Sequence, residues 1–146
     1  MSPYIEMADE SLITIELLYE QTKQRIDAPG IVPSFVLEDT IDIFGTVFGR
    51  DLAGLSAKLS ACLVLGNGSI SAPVFTKTSA ANGGIILTQI SPTAYKVRIS
   101  IASSNTSAFE VGQKVVFDVE FSTTTTPPVK RTKKGSFVVE EQYTVG

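Results

Sequence analysis

From Gly83 to Tyr143 the chain is a run of amphipathic segments separated by turn residues: GGIILTQI, AYKVRISIA, FEVGQKVVFDVEF and KGSFVVEEQY. Apolar side chains recur at every second position, which a pleated strand gathers on one face and a helix would scatter. Tyr95, Val97, Ile99 and Ile101 lie opposite Lys96, Arg98 and Ser100. Val115, Phe117, Val119 and Phe121 alternate with Asp118, Glu120 and Ser122, and Phe137 and Val139 repeat the pattern in the last segment. Half-buried strands at regular spacing, with little helix between them, predict an antiparallel sandwich.

Upstream segments extend the same pattern. Ile41, Ile43 and Val47 share one face of TIDIFGTVF, while Phe44 and Phe48 point the other way, towards a covering layer or another chain. Leu59, Ala61, Leu63 and Leu65 align in the next segment, Asn67-Gly68-Ser69 is a turn, and Pro73 suits an edge. Residues 34–146 are therefore expected to form a single antiparallel β-sandwich of about seven strands. Residues 1–33 read differently, as an N-terminal helix or extended arm used for docking. The helix has a slight advantage: YEQTKQR is rich in helix formers, DAPG is a natural stop, and Leu12, Ile15, Leu18 (or Tyr19) and Ile26 fall near one face. Ile13, Ile15, Leu17 and Tyr19 also alternate, which suits a strand. An arm of this kind would leave a folded sandwich behind when deleted.

A chain of 146 residues is long enough for one hydrophobic core. Its net charge of −3 disfavours a general binder of nucleic-acid backbone. Histidine is absent, which removes the commonest general base and metal ligand. Cys62, the single cysteine, lies in LSACLVL and reads as a small buried hydrophobe. The N-terminal stretch holds no apolar run of the length a membrane segment needs.

No motif for catalysis, cofactor binding or metal ligation stands out, so none of these is expected. STTTTPPVKRTKK reads as a protruding hairpin loop bearing Lys130, Arg131, Lys133 and Lys134, a solvated tip or a docking point on a neighbouring protein. Glu38, Asp39 and Asp42 read as a solvated strand entrance, and Glu140 and Glu141 as guards of a strand edge. A carbohydrate- or receptor-binding sandwich is the alternative to a structural role. Against it, the chain has no tryptophan and only Tyr4, Tyr19, Tyr95 and Tyr143 to stack on a sugar.

The order of the pieces adds a further reading. Glu38-Asp39-Thr40 leads into the strand IDIFGTV, AGLSAKLSACLVL follows, and Gly83-Gly84 opens the next strand. Then come a connection with Thr106, Phe109 and Gly112, the segment VVFDVEF, a hairpin, and GSFVVEE. Over about residues 34–143 this resembles the immunoglobulin-like module of tailed-phage baseplate and tail-fibre proteins, of the type at the N-terminus of upper baseplate proteins. Glu38 replaces the glycine of that family's first turn, and Ala53-Gly54 only loosely echoes its Leu-Thr-Gly. The resemblance implies that the β-sandwich is immunoglobulin-like, and that the chain is a non-enzymatic adaptor or scaffold in the virion tail, baseplate or fibre-attachment region. It would be made in the bacterial host cytoplasm and used in several copies, with other tail proteins as partners and neither nucleic acid nor membrane. Ile15, Leu18, Tyr19, Phe44, Phe48, Lys130, Arg131, Lys133 and Lys134 are the candidate protein contacts.

Overall fold

The computed structural model describes residues 13–28, 32–36, 39–106 and 109–140. The readings placed on Tyr4, Glu38, Glu141 and Tyr143 lie outside these residues. Nine strands are described: β1 (Ile13–Tyr19), β2 (Ser34–Val36), β3 (Ile41–Gly49), β4 (Ser56–Leu63), β5 (Phe75–Thr78), β6 (Ile85–Ser91), β7 (Ala94–Ile101), β8 (Lys114–Ser122) and β9 (Lys130–Glu140). They form a four-stranded sheet in the order β1-β3-β7-β6 and a five-stranded sheet in the order β2-β9-β8-β4-β5. If β1, β3, β4, β6, β7, β8 and β9 are taken as strands A to G, the sheets are A-B-E-D and G-F-C, the immunoglobulin arrangement. β5 adds a strand beside C, and β2 lies alongside G.

Three expectations are corrected. β2 pairs with β9 in parallel, because the chain leaves β1 in one sheet and re-enters along the last strand of the other, so the sandwich is not wholly antiparallel. Ile13–Tyr19 is a strand rather than a helix, pairing antiparallel with β3 from Ile13↔Gly49 to Tyr19↔Ile43. The helix formers Glu20–Arg25 make the turn that returns along β1, where Gln24 O accepts from Tyr19 N–H at 2.9 Å and Leu17 O accepts from Ile26 N–H at 3.0 Å. Finally, the basic run is not a loop: the β8–β9 ladder continues out to Ser122↔Lys130, leaving residues 123–129 as the connection.

The inner faces are those the alternation picked out. Ile41, Ile43, Val47, Val97, Ile99 and Ile101 from one sheet meet Val115, Phe117, Val119, Phe121, Phe137 and Val139 from the other, all buried. Ile13, Ile15, Leu17 and Tyr19 are buried with them. The Tyr19 ring packs 5.1 Å from Phe35 and 6.3 Å from Phe117, and its hydroxyl donates to Ser136 O at 2.8 Å. Burial pushes the Tyr19 hydroxyl far above its ordinary range, so it stays a neutral donor. One side chain of β1 thus ties the four-stranded sheet to β9 of the other. Phe109, in the connection after the helical turn Ser103–Thr106, is also buried and packs 6.2 Å from Phe137.

Beyond the turn after β1, Arg25 Nε and Lys133 Nζ flank Asp27 at 3.2 and 3.1 Å. Partial burial raises the Asp27 carboxyl, but the Lys133 ammonium and then the Arg25 guanidinium outweigh it and hold the group below its ordinary 3.8. The lowered value means that the triad's contribution is complete above the unfolded-state pKa. It is lost as the pH falls from there through the folded one. Replacement of Asp27 by Asn is expected to cost about 1 kcal/mol or less at neutral pH. In urea titrations the difference should shrink as the pH falls below the unfolded-state value and vanish once the folded-state carboxyl is protonated, and a constant difference across pH would refute the ion-pair account.

Candidate protein-contact face

In-register pairing places the outward side chains of the four-stranded sheet in rows. Leu18 is opposite Phe44, Phe44 opposite Arg98, and Arg98 opposite Ile86. The row spans three strand spacings, roughly 14 Å. The next row is Glu16, Thr46, Lys96 and Thr88, and beyond it Thr14, Phe48 and Ala94. Leu18, Phe44 and Ile86, with Thr88, Lys96 and Arg98, line a shallow depression of about 570 Å³. Ile86 is 62% exposed and Phe48 48%, high values for side chains of that size. A large apolar side chain facing water at a strand centre contributes nothing to the chain's own core, which makes it informative about contacts.

Charge frames this row. Arg98 Nη2 lies 3.5 Å from Glu20 Oε2 and 3.7 Å from Asp42 Oδ2, and Asp42 Oδ1 accepts from Ser100 Oγ at 3.0 Å. Lys23 Nζ sits 5.3 Å from the centre of the Phe44 ring. The guanidinium is thereby pinned towards one end of the face, its stem alongside Phe44 and Ile86. Partly exposed apolar side chains bordered by oriented charges suit a protein surface with a central apolar contact and a polar rim.

The residues singled out from the sequence separate on the structure. Phe44 and Phe48 do face outward, and Leu18 joins Phe44 in the row. Ile15 and Tyr19 point into the sandwich and are buried, so they have no surface to offer a neighbour. Lys130, Arg131, Lys133 and Lys134 do not gather at one tip, because alternation along β9 divides them between its two faces. Lys133 is engaged with Asp27, Arg131 Nη1 donates to Lys130 O at 3.1 Å, and Lys134 stands opposite Asp118. Cys62 is half-buried on the outer face of the five-stranded sheet, since Leu59 and Ala61 take the inward positions of β4.

Ile86 was missed. Within Ile85-Ile86-Leu87 it reads as one of three core residues, yet period two sends the middle one outward whenever its neighbours are inside. Ile85 is buried and Leu87 packs on the core, which leaves Ile86 on the surface. Among the described residues no cluster of three or more His, Cys, Asp or Glu could hold a metal ion, and no helix is long and apolar enough to cross a membrane.

No family model matches the sequence, and no curated protein does. Solved structures with a similar overall layout include murine CRIg, at 11% identity over 89% of this chain and 98% of that one, with a TM-score of 0.40. The PapD-like domain of human CEP192 is 12% identical over 92% of this chain and 88% of its own, with a TM-score of 0.40. AggA, the major subunit of aggregative adherence fimbriae type I from Escherichia coli, is 7% identical over 89% and 95%, with a TM-score of 0.36. These likenesses concern the sandwich layout alone.

Proposed function

We propose that this chain is a non-enzymatic structural subunit of a phage tail, baseplate or fibre-attachment region, an adaptor that holds neighbouring proteins on a rigid sandwich. The observation behind an adaptor role is the outward apolar row of half-buried Leu18 and Phe44 with exposed Ile86 on the four-stranded sheet, and exposed Phe48 two rows further along. The virion setting rests on the resemblance of residues 34–143 to baseplate and tail-fibre modules. In this reading the sandwich sets the distance between its neighbours, and the row is the patch on which one of them sits. Other tail proteins are the partners, and several copies serve each particle.

The test is reconstitution with the tail and baseplate proteins encoded beside it. The native chain should co-purify with at least one of them in a complex of fixed stoichiometry. Ile86→Glu introduces charge at an exposed position and should keep the native urea midpoint, while Phe44→Glu, at a half-buried position beside Leu18 and Lys23, should stay folded with a small drop in midpoint. Each should weaken the complex by about 2 kcal/mol or more, the loss expected when a central apolar anchor is removed. A chain that binds none of those proteins would overturn the reading, as would charge variants that assemble with unchanged affinity.

A further inference from the structure

The four sheet edges are not equally protected. β1 is covered along Leu17–Tyr19 by the return segment, through Tyr19 N–H to Gln24 O, Ile26 N–H to Leu17 O and the Leu18–Arg25 bridge, and its first four residues carry the charge of Glu16. β2 has three residues and β5 has four, both short in the way native edges tend to be. β6 has seven residues, Ile85-Ile86-Leu87-Thr88-Gln89-Ile90-Ser91, with no charge and no proline among them. Among the described residues only its start is crossed, by the Thr78–Gly84 bridge. Ser100 N–H donates to Gly84 O, and this sets the phase of the β6–β7 ladder. Ile86 and Thr88 then bond to β7, while the N–H and C=O of Leu87 and Gln89 point away from it. Edges of this kind carry Lys, Pro or a covering loop where pairing is to be prevented, and among the described residues the bulge between Gln89 and Ser91 alone limits it here.

We propose that β6 is a self-association edge, on which a second copy of this chain pairs antiparallel across a two-fold axis at Thr88. That register sets Leu87 against Gln89 of the copy twice over, satisfying the outward backbone groups. It sets Ile86 against Ile90 of the copy on the outer face, where both are more than half exposed. Self-complementarity is the requirement of a two-fold contact, and an uncharged strand with an isoleucine on each side of a central threonine meets it. Lys96, opposite Thr88 in β7, falls three strand spacings from its copy, roughly 14 Å, beyond the screening length of physiological salt. The pairing uses the free β6 edge of both copies and so closes at two. It also runs the Leu18–Phe44–Ile86 rows of the two copies into one surface. The strand contact is smaller than the roughly 1,200 Å² of a stable interface, so the dimer is weak in solution and filled at the local concentrations of an assembly. The inference does not depend on the virion setting, since it concerns the chain by itself.

Sedimentation equilibrium over a concentration series should show the mass rising from 15.6 kDa towards twice that value, with a midpoint on the order of 0.1 mM. Thr88→Lys places two like charges on the axis and should raise the dissociation constant about tenfold or more at an unchanged urea midpoint. Amide exchange on the native chain supplies a reading that needs no variant. Leu87 and Gln89 should become protected as concentration rises, while Ile86 and Thr88, already bonded to β7, should not change. A chain that stays monomeric at 1 mM would overturn the proposal, and so would a dimer in which Leu87 and Gln89 remain unprotected. Tail proteins that bind a strictly monomeric chain would refute this edge and leave the adaptor reading intact.

Discussion

Deletion through Tyr19 is expected to leave a chain with no cooperative unfolding transition. The segment contributes Ile13, Ile15, Leu17 and Tyr19 to the core, each buried. At about 1.5–3 kcal/mol for each large apolar side chain, the loss is roughly 6–12 kcal/mol, the size of a whole domain's stability. The deletion also strips the edge of β3 and opens Phe35 and Phe117, the rings against which Tyr19 packs. Single substitutions grade the effect. Tyr19→Phe keeps the ring but leaves Ser136 O without its donor, at about 1–3 kcal/mol. Tyr19→Ala removes the ring as well, at about 3–5 kcal/mol. Circular dichroism and urea titration read all three. A truncated chain that unfolds cooperatively at the native midpoint would show that β1 is an appendage after all, as a docking arm would be.

How far the sequence discloses this architecture depends on whether two patterns compete. In Val97–Ile101, Val115–Phe121 and Phe137–Val139 only the strand period fits, and those residues are the inner faces. In Ile13–Tyr19 the same apolar residues satisfy both periods, and the helix-forming residues just beyond tip a local reading the wrong way. What decides the matter is β3, more than twenty residues on, which offers a sheet edge for pairing. Non-local pairing of that kind overrides propensity and is not written in the segment itself. The basic run misleads for a different reason. Alternation shows only where one face is apolar, and Lys130–Lys134 extends past the end of the core, so both faces are polar and the strand looks like a loop. Phe44 and Phe48 were legible as outward residues because Ile43 and Val47 hold the inward positions beside them. The row of Leu18, Phe44 and Ile86 was not, since it joins β3 to three further strands whose register only the folded sheet specifies.

Gly45→Ala is expected to destabilise the chain strongly, because the space a Cβ needs is already filled by backbone. Gly45 lies in β3 opposite Leu17 of β1 and Val97 of β7. A Cβ there would overlap the Glu16 carbonyl oxygen and come within 3.0 Å of Leu17 Cα. A flexible side chain could swing aside, but a carbonyl held in a ladder moves only with its strand, so β1 must shift from β3 for the substitution to fit. Close backbone approach is the usual reason for glycine within a strand. Overpacking typically costs about 1–3 kcal/mol, and this case should reach or exceed the upper end because it loosens the seating of Leu17 and Tyr19 at the same time. Gly66→Ala is the matched control, since nothing lies within 4 Å of a Cβ at that position. It should change the urea midpoint little, while Gly45→Ala lowers it strongly and raises the exchange of β1 amides before those of β8. Equal effects of the two substitutions would mean that β1 and β3 can separate without strain. The depression beside Gly45 gives the contact consequence of the same packing: Leu18 and Phe44 keep their side-by-side placement only while β1 stays seated. Loss of partner binding in Gly45→Ala should therefore track the loss of β1 protection, a coupling that Ile86→Glu, which acts on the surface alone, would not show.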